Sequence, residues 1–260
     1  MTNVIHVALP EWQSFVILLF RVSGMMAALP VLGSRTVPVQ MKIALAMTTS
    51  MVLAPLVRPL GVPTDPVLIT AGMAAELVIG LAIGLAGRLL FAALELAGEL
   101  MGVQMGFGVV QLLDPLATHQ APLLGNVQTI MASLTFLSLD AHWMFLRAIA
   151  QSFDEIPPFG AVLSAGLAED VVRLSHTVFL VALKVAAPVL AVVVLVNIAL
   201  AVLGRTVAQM NVFALSFPAT IAAGLLVMGL AMPYAQMLYR NEFAQLGETI
   251  HGLLKALGHG

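Results

Sequence analysis

The chain has 260 residues, of which 60% are hydrophobic and 9% charged, against roughly a quarter charged in an ordinary soluble domain, so water cannot be its only surroundings. Eleven basic and thirteen acidic residues leave a formal net charge of -2, which offers no basic face to a phosphate backbone and excludes nucleic acid as a partner. With no cysteine, disulfides, thiolate metal sites and thiol catalysis are excluded too.

No removable leader is expected at the N-terminus, because the first basic residue, Arg21, lies inside an apolar run and Glu11 precedes it. Apolar runs follow at about 14 to 33, 43 to 61, 67 to 94, 97 to 113, 123 to 149, 174 to 203 and 212 to 238, all of membrane scale or nearly so for a bilayer core of ~30 Å. The third would be roughly 42 Å long at 1.5 Å per residue and must tilt or leave the bilayer. Pro30, Pro38, the cluster from Pro59 to Pro66, Asp114 with Pro115, Pro122, Pro157 with Pro158, and the link from Gly204 to Asn211 punctuate the runs. The expectation is an all-α integral membrane protein forming one helical domain, residues 1–260. Its helical hairpins fall at about 14–61, 67–113, 123–203 and 212–238, with an amphipathic tail over 239–260. Basic residues from Arg35 to Lys255 lie on both sides of any alternating topology, so charge asymmetry does not orient the spans. A position set by partner subunits would account for that.

Arg21, Glu76, Arg88, Glu95, Glu99, Asp140 and Lys184 fall within or at the ends of apolar runs, where each costs a few kcal/mol or more unless paired or hydrated. Two readings stay open: neutralisation inside the bundle, for instance of Arg88 by Glu95 or Glu99, and placement at subunit contacts or along a wet pathway. Gly98, Gly102 and Gly106 share one helix face and let another backbone approach closely. Gly80 and Gly84 repeat the device, for packing of the 67–94 arm against the 97–113 arm. The first series leads into Phe107, Gly108 and then Asp114 with Pro115, a glycine-loosened apolar loop at about 106–122 able to change shape.

Pro188 cannot donate to the carbonyl of Lys184, which implies a bend or, alternatively, a coordination site of transporter type with Asn197 nearby. The fifteen methionines suit irregular gaps. The six histidines are scattered and form no metal-binding pair, and Asp140 with His142, two residues apart, point to different helix faces. Neither an enzyme nor a bound cofactor or metal is expected; an intramembrane enzyme using Asp140 and His142 is the weaker rival, and a stand-alone transporter at Lys184 and Pro188 the stronger.

The stretch from Gly98 to Gly108, read as Gly-Glu-Leu-Met-Gly-Val-Gln-Met-Gly-Phe-Gly and followed by Asp114 and Pro115, resembles the central signature of the flagellar biosynthesis protein FliR family, which includes an injectisome counterpart. Arg21 with Gly24, Pro30 and Pro38 is similar to the family's first hairpin, Leu139 to His142 to its middle helix, and Gln209 to Phe213 with Phe217 and Pro218 to its last elbow. The resemblance covers nearly all of residues 14 to 240. The chain departs from the family's usual pattern at Ala208, Ser216 and Thr220.

This resemblance implies a subunit of a type III protein export gate in the bacterial inner membrane, in the flagellar basal body. There its hairpins would stack with FliP-like and FliQ-like subunits into a hetero-oligomeric helical assembly. Cytoplasmic export components, unfolded secreted proteins and membrane lipid would be its other partners. Carried over residue by residue, the plug of the channel would comprise Gly106, Phe107, Gly108, Gln111, Leu112, Leu113, Asp114 and Pro115. Gly98, Gly102, Gly80 and Gly84 would pack helices closely, and Arg21, Glu95, Glu99, Asp140 and Lys184 would pair at helix and subunit contacts.

Overall fold

Helix boundaries follow the polar and proline punctuation of the chain. In a computed structural model that describes residues 2–33, 37–57, 65–107, 122–160, 166–206 and 211–258, all regular structure among the described residues is helical. Helix α1 spans Thr2–Ala28, α2 Pro30–Gly33 and α3 Val39–Leu53, which runs into a 3-10 turn at Ala54–Leu56. Then come α4, Pro66–Met105, α5, Leu123–Ser138, α6, Ala141–Glu155, α7, Gly166–Thr206, and α8, Val212–Gly258. Pro38 and Pro122 stand immediately before α3 and α5, where a missing N–H costs nothing. Side-chain oxygens start two of the long helices: Asp65 Oδ1 accepts from the Val67 N–H at 2.9 Å, and Asn211 Oδ1 from the Ala214 N–H at 3.2 Å.

The hairpin expected over 67–113 is instead one helix of 40 residues through Met105. Only Glu95 and Leu96 separate the two apolar runs, and neither breaks a helix; a charge interrupts hydropathy without interrupting backbone hydrogen bonding. For the same reason the run at 212–238 and the amphipathic tail merge into α8, 47 residues long. The 123–203 segment contains three helices rather than one hairpin. Its first break falls at Leu139 and Asp140, where Asp140 takes a left-handed conformation with φ 51°.

Among the described residues three helices, Pro66–Met105, Val172–Thr206 and Ala214–Gly258, are long and apolar enough to cross a membrane, and α5 with α6 would add a fourth if counted as one broken span. Their outer faces carry large apolar side chains such as Leu195, Leu226 and Leu230 at 64%, 63% and 74% exposure, a surface that must be covered by lipid or protein.

The chain divides into two compact units. The first comprises Met1–Leu89, Asp140–Ser175 and Phe243–Gly260, the second Leu90–Leu139 and His176–Glu242. In the first, Ile17, Leu18 and Val22 of α1, Ile79 and Ile83 of α4, and Phe145 and Ile149 of α6 are buried. So are Phe243, Leu246, Ile250, Leu253 and Leu257 of α8, at the three- and four-residue spacing of an amphipathic stripe. In the second, Phe91 of α4 meets Phe136 of α5 edge to face at 5.8 Å, among buried Met101, Met105 and Val185.

Candidate functional site

In the first unit, three glycines remove the side chains that would hold α1 and α4 apart. A Cβ on Gly80 would overlap the Arg21 carbonyl, one on Gly24 would overlap the Leu77 carbonyl, and one on Gly84 would come within 2.5 Å of the Met25 carbonyl. Gly80 and Gly84 thus pack against α1 and not against a returning arm of their own segment, since that segment continues the same helix. Backbone contact at this crossing brings Arg21 of α1 within reach of Glu76 of α4.

The guanidinium of Arg21 is fully buried and every edge of it is used. Nε donates to Glu76 Oε2 at 2.7 Å, Nη2 lies 2.7 Å from the same oxygen, Nη1 donates to Ser152 Oγ at 2.7 Å, and Nη2 donates to the Ile156 carbonyl at 3.3 Å. Its face lies 3.7 Å from the centroid of Phe153. Ser152 Oγ passes its own proton to the Ile149 carbonyl at 2.6 Å. The second carboxylate oxygen of Glu76 accepts from the Phe159 N–H at 3.2 Å. Phe159 has φ 65°, an uncommon conformation for an aromatic residue, and its ring occupies the space that a side chain at position 72 would fill, left open by Gly72. One ion pair therefore ties α1, α4, α6 and the turn after α6 together. It contains no activated nucleophile and no open ligand position; its capacity is architectural.

In the second unit, the glycine-rich face of α4 meets two helices. A Cβ on Gly98 would lie 2.6 Å from the Cα of Gly125 in α5, so the two backbones touch there. At Gly102 a Cβ would meet only the Leu124 side chain, at 3.8 Å, an ordinary contact. Gly106 stops the helix with φ +96°, which glycine alone adopts without strain. The Gly106 N–H bonds to the Val103 carbonyl at 3.1 Å and the Phe107 N–H to the Gly102 carbonyl at 3.0 Å, the paired bonds of a glycine-terminated helix.

Helix α8 closes on this last turn. The Thr220 hydroxyl donates to the Met105 carbonyl at 2.9 Å, the Phe217 ring fills the space beside Gly106, and the side chain of Met105 lies over Gly224. Farther along α8, the buried Tyr239 hydroxyl donates to Gln128 Oε1 of α5.

Other residues singled out from sequence fall elsewhere. Phe107 is half-buried just past the end of α4, whereas Gly108, Gln111, Leu112, Leu113, Asp114 and Pro115 lie outside the described residues, as do Ala208, Gln209 and Met210. Of the five charges expected to pair in buried surroundings, Arg21 is buried. Glu95, Glu99, Asp140 and Lys184 are exposed on this chain and, like exposed Arg88, take part in no ion pair among the described residues. Glu95 and Glu99 precede the buried Gly98 and Gly102 by three residues each, so they border the glycine face of α4.

The residues of the two rival readings do not converge. Lys184 and Asn197 are exposed on α7, and the helix continues through Pro188. Asp140 is exposed at a helix break, and Nδ1 of His142 is buried with no hydrogen-bond partner among the described residues. No group of three or more His, Asp or Glu among the described residues is placed to hold a metal ion. Sequence reasoning missed Ser152, Phe159 and Gly72, whose partners lie far from them in sequence or, for Gly72, consist of an absent side chain, and met Thr220 only as a departure from a pattern.

Compared with known proteins, residues 12–246 match the model of bacterial export proteins, family 1. The flagellar biosynthetic protein FliR of Bacillus subtilis (strain 168) is 30% identical over 251 residues, covering 95% of this chain and 96% of its own length. That of Escherichia coli (strain K12) is 26% identical over 257 residues, 97% and 98% of the two chains. That of Aquifex aeolicus (strain VF5) is 29% identical over 226 residues, 86% and 87%.

Proposed function

Because the chain belongs to the FliR family of bacterial export proteins, matched over residues 12–246, we propose that it is the subunit that helps to form and plug the flagellar type III export channel, through which unfolded flagellar proteins cross the inner membrane. The chain is a membrane-helical component of the bacterial flagellar export apparatus, in a family that is not one of enzymes. In the finer reading it assembles with FliP-like and FliQ-like subunits in the basal body and works beside cytoplasmic export components. The segment from Gly106 through Pro115 occludes the pore, and Glu95, Glu99, Asp140 and Lys184 meet partner subunits.

The observation that supports this reading is the end of α4. The family signature occupies its final turns, a glycine stops the helix at Gly106, and Phe107, Val109, Val110, Leu112 and Leu113 after it are apolar. A pinned helix end followed by an apolar segment has the physical make-up of a plug: the root is fixed, and a short run of Phe, Val and Leu excludes water and ions. Exposed carboxylates and an exposed ammonium on apolar helices also fit a chain completed by other subunits, because lipid alone would leave each of them uncompensated. Deleting Phe107 to Leu113 tests the plug. Ion leakage through the assembled complex should rise or export should cease; a deletion that changes neither leaves the segment without a plugging role.

A further inference from the structure

We infer that Thr220 is a positioning residue for the last turn of α4, and that its hydrogen bond to the Met105 carbonyl is a releasable latch between α8 and α4. The inference rests on the gating role proposed above and deepens it, since it names what holds the gate-bearing helix end in place.

Three residues of α8 make the clamp, and their spacing puts them on one face. Phe217, Thr220 and Gly224 are three and four residues apart, and they meet Gly106, the Met105 carbonyl and the Met105 side chain respectively. Two of these contacts are shape alone. The third is a hydrogen bond that supplies a donor to a carbonyl at the C-terminus of α4, where intrahelical N–H groups have run out. Among the described residues Thr220 is the donor that reaches Met105 O.

The hydroxyl has one proton and three acceptors in range: the Met105 carbonyl at 2.9 Å, the Ser216 carbonyl at 2.9 Å and the Phe217 carbonyl at 3.2 Å. The last two belong to its own helix. Thr220 therefore stays satisfied whether or not it holds α4, because it can turn back to Ser216. The cost of release falls on the Met105 carbonyl. At this site, where Thr220 is 4% exposed, that carbonyl would be left dry; once water reaches it, release costs little. The latch thus favours the docked position while the site is dry and lets go when it is wet.

The test uses the complete complex in membrane vesicles loaded with a pH-sensitive dye, with co-purification of the companion subunits as the measure of assembly. Thr220→Val keeps the shape and removes the hydroxyl; Thr220→Ser keeps the hydroxyl and removes a methyl. With assembly unchanged, proton leakage in Thr220→Val should rise about fivefold, the population shift from losing one net hydrogen bond, while Thr220→Ser stays near the wild type. Equal leakage in Val, Ser and wild-type complexes overturns the latch. The deletion of Phe107 to Leu113, run in parallel, separates the two claims: if it leaks and Thr220→Val does not, only the latch fails, and if the deletion neither leaks nor stops export, the gating role fails.

A second variant does not depend on the hydroxyl. The chain has no cysteine, and a Cβ at Gly224 would lie 2.6 Å from Cγ of Met105, so Met105→Cys with Gly224→Cys can be joined by oxidation. Export should stop on oxidation and return on reduction. Undiminished export from a fully oxidised complex refutes release of this contact.

Discussion

The guanidinium of Arg21 and the carboxylate of Glu76 meet at 2.7 Å with neither side chain reached by solvent, 55 residues apart in sequence. Two ions out of water are costly to bury, and the pair is retained because Ser152, the Ile156 carbonyl and the Phe159 N–H occupy the remaining hydrogen-bonding positions. It stabilises the first unit only as a complete set.

Removing one partner should therefore cost more than removing both. Arg21→Met or Glu76→Gln alone leaves an uncompensated buried group, a loss of about 3–5 kcal/mol. The double change Arg21→Met with Glu76→Leu should recover most of it. Thermal inactivation of the purified complex measures both, and a double variant no better than the singles would show that the network holds the helices by some means other than charge.

The glycines of α4 should differ sharply in tolerance. At Gly80 an added methyl runs into the Arg21 carbonyl, which is backbone and cannot turn aside; Gly80→Ala should cost at least about 1–3 kcal/mol and spread the α1 crossing. At Gly102 the same methyl finds Leu124 at 3.8 Å, so Gly102→Ala should be neutral or stabilise the helix by about 0.5–1 kcal/mol. Expression level and thermal midpoint of the two variants decide the matter, and equal losses would refute the assignment of the α1 contact.

That contrast shows where the chain could be read directly. Helical character and membrane scale were legible, because runs of twenty apolar residues have few other solutions. Four-residue glycine spacing marked a face on α4, but a face does not name the helix that packs on it. Charges interrupt hydropathy without ending a helix, so the hydropathy pattern predicts a hairpin over 67–113 where α4 continues through Glu95 to Met105. Arg21 and Glu76 were each visible as misplaced charges, yet nothing local joins residues 55 apart. Thr220 carried no signal of its own, because its acceptor is a backbone carbonyl 115 residues away.

Tyr239 and Gln128 form a second buried polar contact within the second unit, besides that of Thr220 with Met105. Tyr239→Phe removes the donor and strands the Gln128 carbonyl oxygen, a loss of about 1–3 kcal/mol. Adding Gln128→Leu should restore much of it, since both polar groups are then gone. A double-variant cycle on thermal inactivation reads the coupling, and additive losses would mean that the two side chains do not depend on each other.

Glu95 and Glu99 of α4 are exposed and unpaired among the described residues, four apart on a helix long and apolar enough to span a membrane. Lipid cannot compensate two carboxylates one turn apart, and mutual repulsion adds to the cost. Replacing both by glutamine should make the lone chain easier to keep in the membrane. In the assembled complex the outcome depends on what faces them. Cationic side chains of a neighbouring subunit would be left unpaired by the change, and companion subunits would then co-purify in reduced ratio. Full recovery of the companions from the double glutamine variant, at wild-type ratio, would place these carboxylates against water and remove them from the assembly contact.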